Sequence, residues 1–247
     1  MKKLFSMLFS GTAYTLFLGV FLYLIAFLAD LPQIPRRVDA GGQEAPVAIA
    51  FLVDVGLIAL FGLQHSIMAR PWFKKAWKRL VPAQSERSVY VLLASGALAL
   101  LFVLWRPIEG DVWHAHSALL QTILWLLFAA GWLIVLASTF LINHFELFGL
   151  QQAWLYVRGR AAAAPQFRTP LLYRIVRHPL YLGFLVAFWA TPVMTVGHLL
   201  FALGMSSYIF IALIYEERDL LDQFGDEYLR YQQRVGKMLP AIGRRAV

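Results

Sequence analysis

The sequence predicts an all-α, polytopic membrane protein of about six transmembrane helices, the last two forming a hairpin, with both termini cytoplasmic. Three observations carry this expectation. Of 247 residues, 60% are apolar and only 15% charged, against about 45–50% and about 25% in a soluble domain. Long stretches contain almost no charge. The basic residues are distributed very unevenly between the segments that join those stretches.

Spanning about 30 Å of hydrocarbon takes about 20 mostly apolar residues. Leu4 to Ala29 is uncharged, and Ala45 to Ala69 carries only Asp54. Ser88 to Trp105 is uncharged, as is Val112 to Phe145 apart from its histidines. His178 to Tyr215 is free of Asp, Glu, Lys and Arg but is too long for one simple span. Thr191-Pro192-Val193-Met194-Thr195-Val196-Gly197 interrupts it, and Pro and Gly so close together favour a turn. The reading is a tight hairpin whose first helix, the fifth of six, is short.

Charge supports the count. With Lys2 and Lys3 cytoplasmic, six spans place 19 of the 22 basic residues inside, leaving Arg36, Arg37 and Arg106 outside, as the positive-inside rule requires. Five spans would put the basic tail, including Arg244 and Arg245, outside. The net charge of +8 therefore describes topology, not a nucleic-acid partner. The run after Met1-Lys2-Lys3 is too long for a signal-peptide core and reads as an uncleaved first helix. Ala161 to Ala164 with Pro165 is a short biased loop. The chain reads as a single integral membrane domain over 1–247, with a four-helix part at 1–150 and motif, hairpin and tail at 165–240. Cysteine is absent, which excludes disulfides, thiolate zinc sites and a cysteine nucleophile.

Ionisable groups inside a span are costly and raise functional hypotheses. Asp54 lies about nine residues, roughly 13 Å, into its helix, near the midplane. His65, eleven residues on, shares its face. The alternative is that both are packed against other helices and hydrogen-bonded for structure alone, a reading that suits Asp54 better than His65. Asn143, His144 and Glu146 end the fourth span, at the cytoplasmic boundary, where they could grip a polar ligand or orient a proton. The same residues would also make an interfacial helix end capped by Gly149. His114, His116 and His198 read as outer interfacial residues, and Trp105, Trp113 and Trp154 as an aromatic belt. No spacing suggests a metal cage.

The most informative stretch is Tyr173-Arg174-Ile175-Val176-Arg177-His178-Pro179-Leu180-Tyr181-Leu182-Gly183. Pro179 suits the first turn of a helix, whose free N–H groups and positive dipole end would accept an anion. Arg174 and Arg177, three apart, could converge on that anion. Tyr181 would share a face with His178, and Gly183 permits close approach of a ligand or helix. Beyond the hairpin stand Glu216 and Glu217, suited to a ribose hydroxyl, an ammonium or a sulfonium. A hairpin brings its two ends together, so the basic and acidic pairs become neighbours. Such a pocket fits a zwitterionic, nucleoside-bearing ligand. Alternatively, Arg177 and Glu217 simply pair and close the hairpin.

Arg177-His178-Pro179-x-Tyr181-x-Gly183, Glu216-Glu217 and Phe224-Gly225-x-x-Tyr228-x-x-Tyr231 together resemble the membrane methyltransferases typified by isoprenylcysteine carboxyl methyltransferase and phospholipid methyltransferases. Leu63-Gln64-His65-Ser66-Ile67-Met68-Ala69-Arg70, Asn143-His144-Phe145-Glu146-Leu147-Phe148-Gly149-Leu150 and Phe167-Arg168-Thr169-Pro170 look like the bacterial methanethiol S-methyltransferases. The resemblance implies methyl transfer from S-adenosylmethionine to methanethiol, giving dimethyl sulfide, by an enzyme of the bacterial inner membrane. It implies cofactor contacts at Arg177, His178, Pro179, Tyr181, Gly183, Glu216 and Glu217, with Arg174 as a further candidate and no metal. His65, His144 or Glu146 would take or relay the thiol proton while Asn143 orients it. The partners are then a small thiol and the lipid bilayer. The alternatives are a methyltransferase for lipid or isoprenyl substrates, an NADPH-dependent reductase of the sterol type, and a non-enzymatic binder or transporter using Asp54.

Overall fold

The computed structural model describes residues 1–161 and 166–240. The rest of the Ala-rich loop, through Pro165, and Arg244 and Arg245 lie outside the described residues. Among the described residues, five helices are long and apolar enough to cross a membrane: α1 (Lys2–Leu28), α2 (Val47–Ala69), α4 (Ala83–Leu104), α5 (Ala118–Ile142) and α9 (Val196–Phe224). Four short helices lie between or beside them: α3 (Pro71–Trp77), α6 (His144–Leu147), α7 (Leu150–Arg158) and α10 (Asp226–Arg234). The remaining helix, α8 (Pro179–Trp189), is apolar but has 11 residues, about 16 Å at 1.5 Å per residue. The chain is a polytopic helical membrane protein, with five full-length apolar helices and one of half length among the described residues.

Small and polar residues share the buried helix faces with large apolar ones such as Phe27, Leu101 and Phe188, while many other apolar side chains face outward. On α1 the buried residues include Ser6, Ser10 and Ala13, while Leu4, Phe5, Leu8 and Leu22 are exposed. On α4 Ser85, Ser88, Ala94 and Ser95 are buried. Gly131, Ser138 and Thr139 are buried on α5, where Leu126 and Leu133 face outward. Lipid rewards apolar exposure, so helices meet through small side chains that let backbones approach. Ser88 Oγ donates to Ser10 Oγ at 2.7 Å, joining α4 to α1.

The described residues form two compact units, neither continuous in sequence. The first contains α1 to α4, α7 and the start of α9. It also holds a feature that the periodicity did not predict: a two-stranded antiparallel sheet of β1 (Asp111–His114) and β2 (Val193–Thr195). β2 occupies the Pro/Gly interruption expected to be a turn. Asp54 is completely buried, and its Oδ1 accepts the backbone N–H of Arg106 at 3.0 Å. It thereby holds the chain where it leaves α4. Trp105 is also fully buried and donates its indole N–H to the Val38 carbonyl at 3.0 Å. It is a core residue, not part of an aromatic belt. His198 is likewise buried, with its backbone N–H donated to Thr195 Oγ1 at 3.0 Å. The stretch after α4 is tied to the start of α9, where Val196 N–H donates to the Gly110 carbonyl at 2.8 Å and Gly197 N–H to the Ile108 carbonyl at 3.1 Å.

The second unit contains α5, α8, the rest of α9 and α10. α5 and α8 touch through a reciprocal pair of glycines. A Cβ on Gly183 would stand 2.7 Å from the Gly131 carbonyl oxygen, and one on Gly131 would stand 2.7 Å from the Gly183 oxygen. Gly183 therefore serves helix–helix approach. Since the obstacle is backbone, a side chain here cannot be accommodated by rotamer change. Gly183→Val should destabilise the protein by about 1–3 kcal/mol through overpacking, seen as a lowered unfolding temperature in detergent. Gly56→Val, where no atom lies within 4 Å of the added Cβ, should leave that temperature nearly unchanged.

Candidate functional site

The Arg-His-Pro segment is fixed by its backbone before any side chain acts. Leu171–Arg174 forms a 3-10 turn, and Val176 then pairs in parallel with Gly236. Arg177 N–H donates to the Gly236 carbonyl at 2.8 Å and His178 N–H to the Lys237 carbonyl at 3.2 Å. Pro179 begins α8 with His178 at its N-cap, since the proline ring presets φ and its missing N–H is not needed there. At the other end, α9 stops at Gly225, whose φ is +52°. α10 follows, and residues 235–237 return alongside residues 176–178.

This arrangement converges on Glu217. Its Oε1 accepts from Arg177 Nε at 2.9 Å and from the same guanidinium's second terminal nitrogen at 2.6 Å. His178 Nε2 lies 3.2 Å from Oε1, and Lys237 Nζ lies 2.7 Å from Oε2. A carboxylate only accepts, so His178 carries a proton on Nε2. The other guanidinium terminus donates to the Gln232 and Val235 carbonyls at 3.2 and 2.6 Å. Arg177 thus commits four of its five N–H groups to protein. The Arg177 and Glu217 side chains are only 9% and 13% exposed, whereas Lys237 is 43% exposed. The hairpin-closing ion pair is present, and it forms the base of a wider cluster.

Glu216 forms the open side of that cluster. The Tyr181 hydroxyl donates to its Oε2 at 2.6 Å, and its Oε1 lies 3.8 Å from His178 Nδ1. Its side chain is 41% exposed. Burial pushes the His178 pKa below the ordinary histidine value, although Glu216 and Glu217 pull it up and Arg177 adds to the lowering. His178 is therefore a neutral hydrogen-bond donor at pH 7. Burial also raises Tyr228, and raises Tyr231 to about 12, so both phenols stay protonated. Tyr231 donates to the Tyr173 carbonyl. The Phe167 ring packs against Phe224, Tyr228 and Tyr231 at 5.3–5.9 Å between centroids.

Arg174 takes none of these Glu217 contacts. It ends the 3-10 turn and its Nε donates to the Thr169 carbonyl at 3.3 Å. The three-residue spacing from Arg177 is not helical here, because Val176 to His178 pair with the returning tail. Sequence reasoning treated Lys237 only as a topological charge. No local pattern marks it, since its role comes from the strand-like return after α10.

The four proposed proton-handling residues occupy different surroundings. His144 is buried, stacks on Phe140 with centroids 4.1 Å apart, and places Nδ1 2.9 Å from Thr139 Oγ1. That hydroxyl gives its single proton to the Leu136 carbonyl at 2.7 Å. Nδ1 must therefore donate, which leaves the basic lone pair on Nε2. Burial lowers the His144 pKa, keeping the ring neutral. Asn143 caps α5, its backbone N–H bonded to the Thr139 carbonyl at 3.2 Å. Glu146 is exposed on α6.

In the first unit, His65 packs against Phe61 and Tyr90 at 5.4 and 5.0 Å. Tyr90 donates its hydroxyl to the His65 carbonyl at 3.3 Å. Arg87 stacks over Tyr90 at 5.0 Å and donates Nε to the Leu147 carbonyl at 2.6 Å. Arg87 thus ties the turn after Glu146 to the surroundings of His65. Its sequence signal was hidden among the loop cations. Gly149, at φ +88°, lies directly against Ser88. Among the described residues, no group of three or more His, Cys, Asp or Glu is arranged to hold a metal.

Two outcomes follow from this geometry. Glu217→Ala leaves two cations around an emptied site and should cost about 3 kcal/mol of stability, measurable by denaturation in detergent. His178 favours its neutral form in the fold, so its stabilising contribution is present above about pH 6.5. It is lost as pH falls below that value through the lowered folded pKa. Unfolding temperature should decline from pH 7 towards pH 5, and His178→Gln, which retains an N–H donor, should make that decline shallower.

Residues 54–235 match the NnrU protein family model. The methanethiol S-methyltransferase of Mycobacterium tuberculosis (strain ATCC 25618 / H37Rv) is 49% identical over 97% of this chain and 98% of its own length. That of Pseudomonas sp. (strain GM41(2012)) is 51% identical over 96% and 91%. The nurim protein of Sus scrofa is 30% identical over 77% of this chain and 73% of its own length. No solved structure matches. With a family model covering most of the chain and relatives near half identity over almost all of it, the protein belongs to the NnrU family and, within it, to the methanethiol S-methyltransferases.

Proposed function

We propose that this protein methylates methanethiol to dimethyl sulfide with S-adenosylmethionine, at the cytoplasmic face of a bacterial inner membrane. The observation that carries the reading is the two-carboxylate, two-cation cluster around Glu216, Glu217, Arg177 and Lys237, in a chain whose relatives include proteins named methanethiol S-methyltransferase. The distribution of basic residues supports the cytoplasmic face.

The donor set suits the cofactor's charges. Glu216, half open and oriented by Tyr181, offers an acceptor for an ammonium or a ribose diol. Lys237 has two further N–H donors beyond its Glu217 contact and is open enough to meet a carboxylate. The first turn of α8, behind Pro179, adds a positive dipole end. Arg177, His178 and Glu217 serve as the rigid base that holds these groups in place. S-adenosylmethionine supplies an already activated methyl on a sulfonium, so no metal or electrophilic residue is required.

The protein's remaining tasks are placement and proton removal. Holding reactants in line can supply up to about 7–11 kcal/mol. An alkyl thiol resembling cysteine has a pKa near about 8.5, and the thiolate is the better nucleophile. His144 Nε2 has the lone pair to accept that proton, with Thr139 fixing the tautomer and Asn143 at the adjoining helix end. S-adenosylmethionine bound there would supply the methyl that the thiol sulfur takes up, and His144 would hold the thiol proton until it is released. His65 and Glu146 are the other candidates for relaying it. An apolar entry through the bilayer suits a small volatile thiol, and exclusion of water protects the methyl donor.

The test is purified protein with methyl-labelled S-adenosylmethionine and methanethiol, measuring volatile labelled dimethyl sulfide. Label in lipid, or NADPH oxidation without volatile label, would overturn the reading. His144→Gln should lower kcat about 100-fold or more. Thr139→Val, which frees the tautomer, should lower kcat more than it raises KM.

A further inference from the structure

Beside the Glu217 cluster lies a separate cavity of about 530 Å³, lined by Phe167, Thr169, Arg174, Glu227, Arg230, Tyr231, Arg234 and Val235. The set has three guanidiniums against one carboxylate. None of the three forms an ion pair among the described residues. Among the described residues, Arg174 donates to the Thr169 carbonyl at 3.3 Å and Arg234 to the Arg230 carbonyl at 3.4 Å. All three arginines are exposed, and together they wall the same concavity. Here they come from two distant segments: Arg174 from the turn before α8, and Arg230 and Arg234 from one face of α10. The Phe167–Tyr231 contact and the Tyr231–Tyr173 hydrogen bond fasten those segments together.

The surroundings are apolar in a particular way. Leu171 and Ile175 flank Arg174 and are 68% and 53% exposed, and Leu229, next to Arg230, is 44% exposed. Phe167 also packs against Phe224, the last residue of the membrane-length helix α9. Planar, forked cations beside outward-facing leucine and isoleucine, at the end of a spanning helix, match a phosphate with an acyl chain alongside. We infer that this cavity is a binding site for a phosphate ester, supplied by the headgroup of an anionic phospholipid.

The test uses full-length protein purified in mild detergent and reconstituted into nanodiscs of phosphatidylcholine with 20 mole per cent phosphatidylglycerol. Lipid retained after delipidating washes is measured by mass spectrometry, and inorganic phosphate binding by ³¹P NMR. Wild-type protein should retain phosphatidylglycerol over phosphatidylcholine. The R174Q/R230Q/R234Q variant should lose that retention about tenfold or more. Glu227→Gln, which removes the competing carboxylate, should raise retention several-fold. It keeps the inference open to refutation if the triple variant fails to fold. Binding of free phosphate that is abolished in the triple variant, without phospholipid preference, would support the anion site but overturn the lipid source. Retention unchanged in the variants, or no binding of either probe, would overturn the site itself. The readout is bound phosphorus, so it stands apart from methyl transfer.

Discussion

The carboxylate of Glu217 is the constraint on which the site depends. A nearly buried negative charge is expensive unless paired and hydrogen-bonded, and here Arg177, His178 and Lys237 come from two segments to satisfy it. Each of those segments must be held in register for this to happen. Hence the backbone pairing of residues 176–178 with residues 236–237, the helix start at Pro179, and the sharp turn at Gly225. Specificity of geometry comes from the cost of leaving any one of these charges alone.

The same economy of polar groups explains the rest of the fold. Alongside buried aromatic contacts such as Phe27 with Phe102 and Trp132 with Phe188, helices are joined by small residues and by hydrogen bonds that have nowhere else to go in lipid. Ser10 with Ser88, and Gly131 with Gly183, are such joints. Asp54 and Trp105 anchor the chain leaving α4 in the same manner, each giving a buried polar atom one defined partner. Arg87, bridging Tyr90 and the Leu147 carbonyl, shows that a loop cation can also serve as a brace.

Much of the site was legible because its residues lie in compact motifs. The Arg177–Gly183 stretch and Glu216-Glu217 were identified as the two ends of a hairpin, and both the expected charge meeting and the simpler closing ion pair occur. Other assignments failed for a common reason. Trp105 and His198 look interfacial by position, but tertiary packing buries both. Arg174 looks like a partner of Arg177 only if the intervening chain is helical, whereas it is a 3-10 turn leading into an extended segment. Lys237 has no local signal at all, because its partner is twenty residues away in sequence.

The sequence by itself determined the class, the approximate limits of the five membrane-length helices and of the short apolar α8, and the residue types that meet at the hairpin's ends. These follow from composition, length and charge placement, which are local or additive properties. Tertiary structure alone decided which of two adjacent glutamates is locked and which stays open. It also decided which nitrogen of His144 keeps its lone pair, and which glycine serves a helix joint. Those outcomes depend on a single donor or acceptor being already engaged by a distant residue, and sequence spacing carries no record of that.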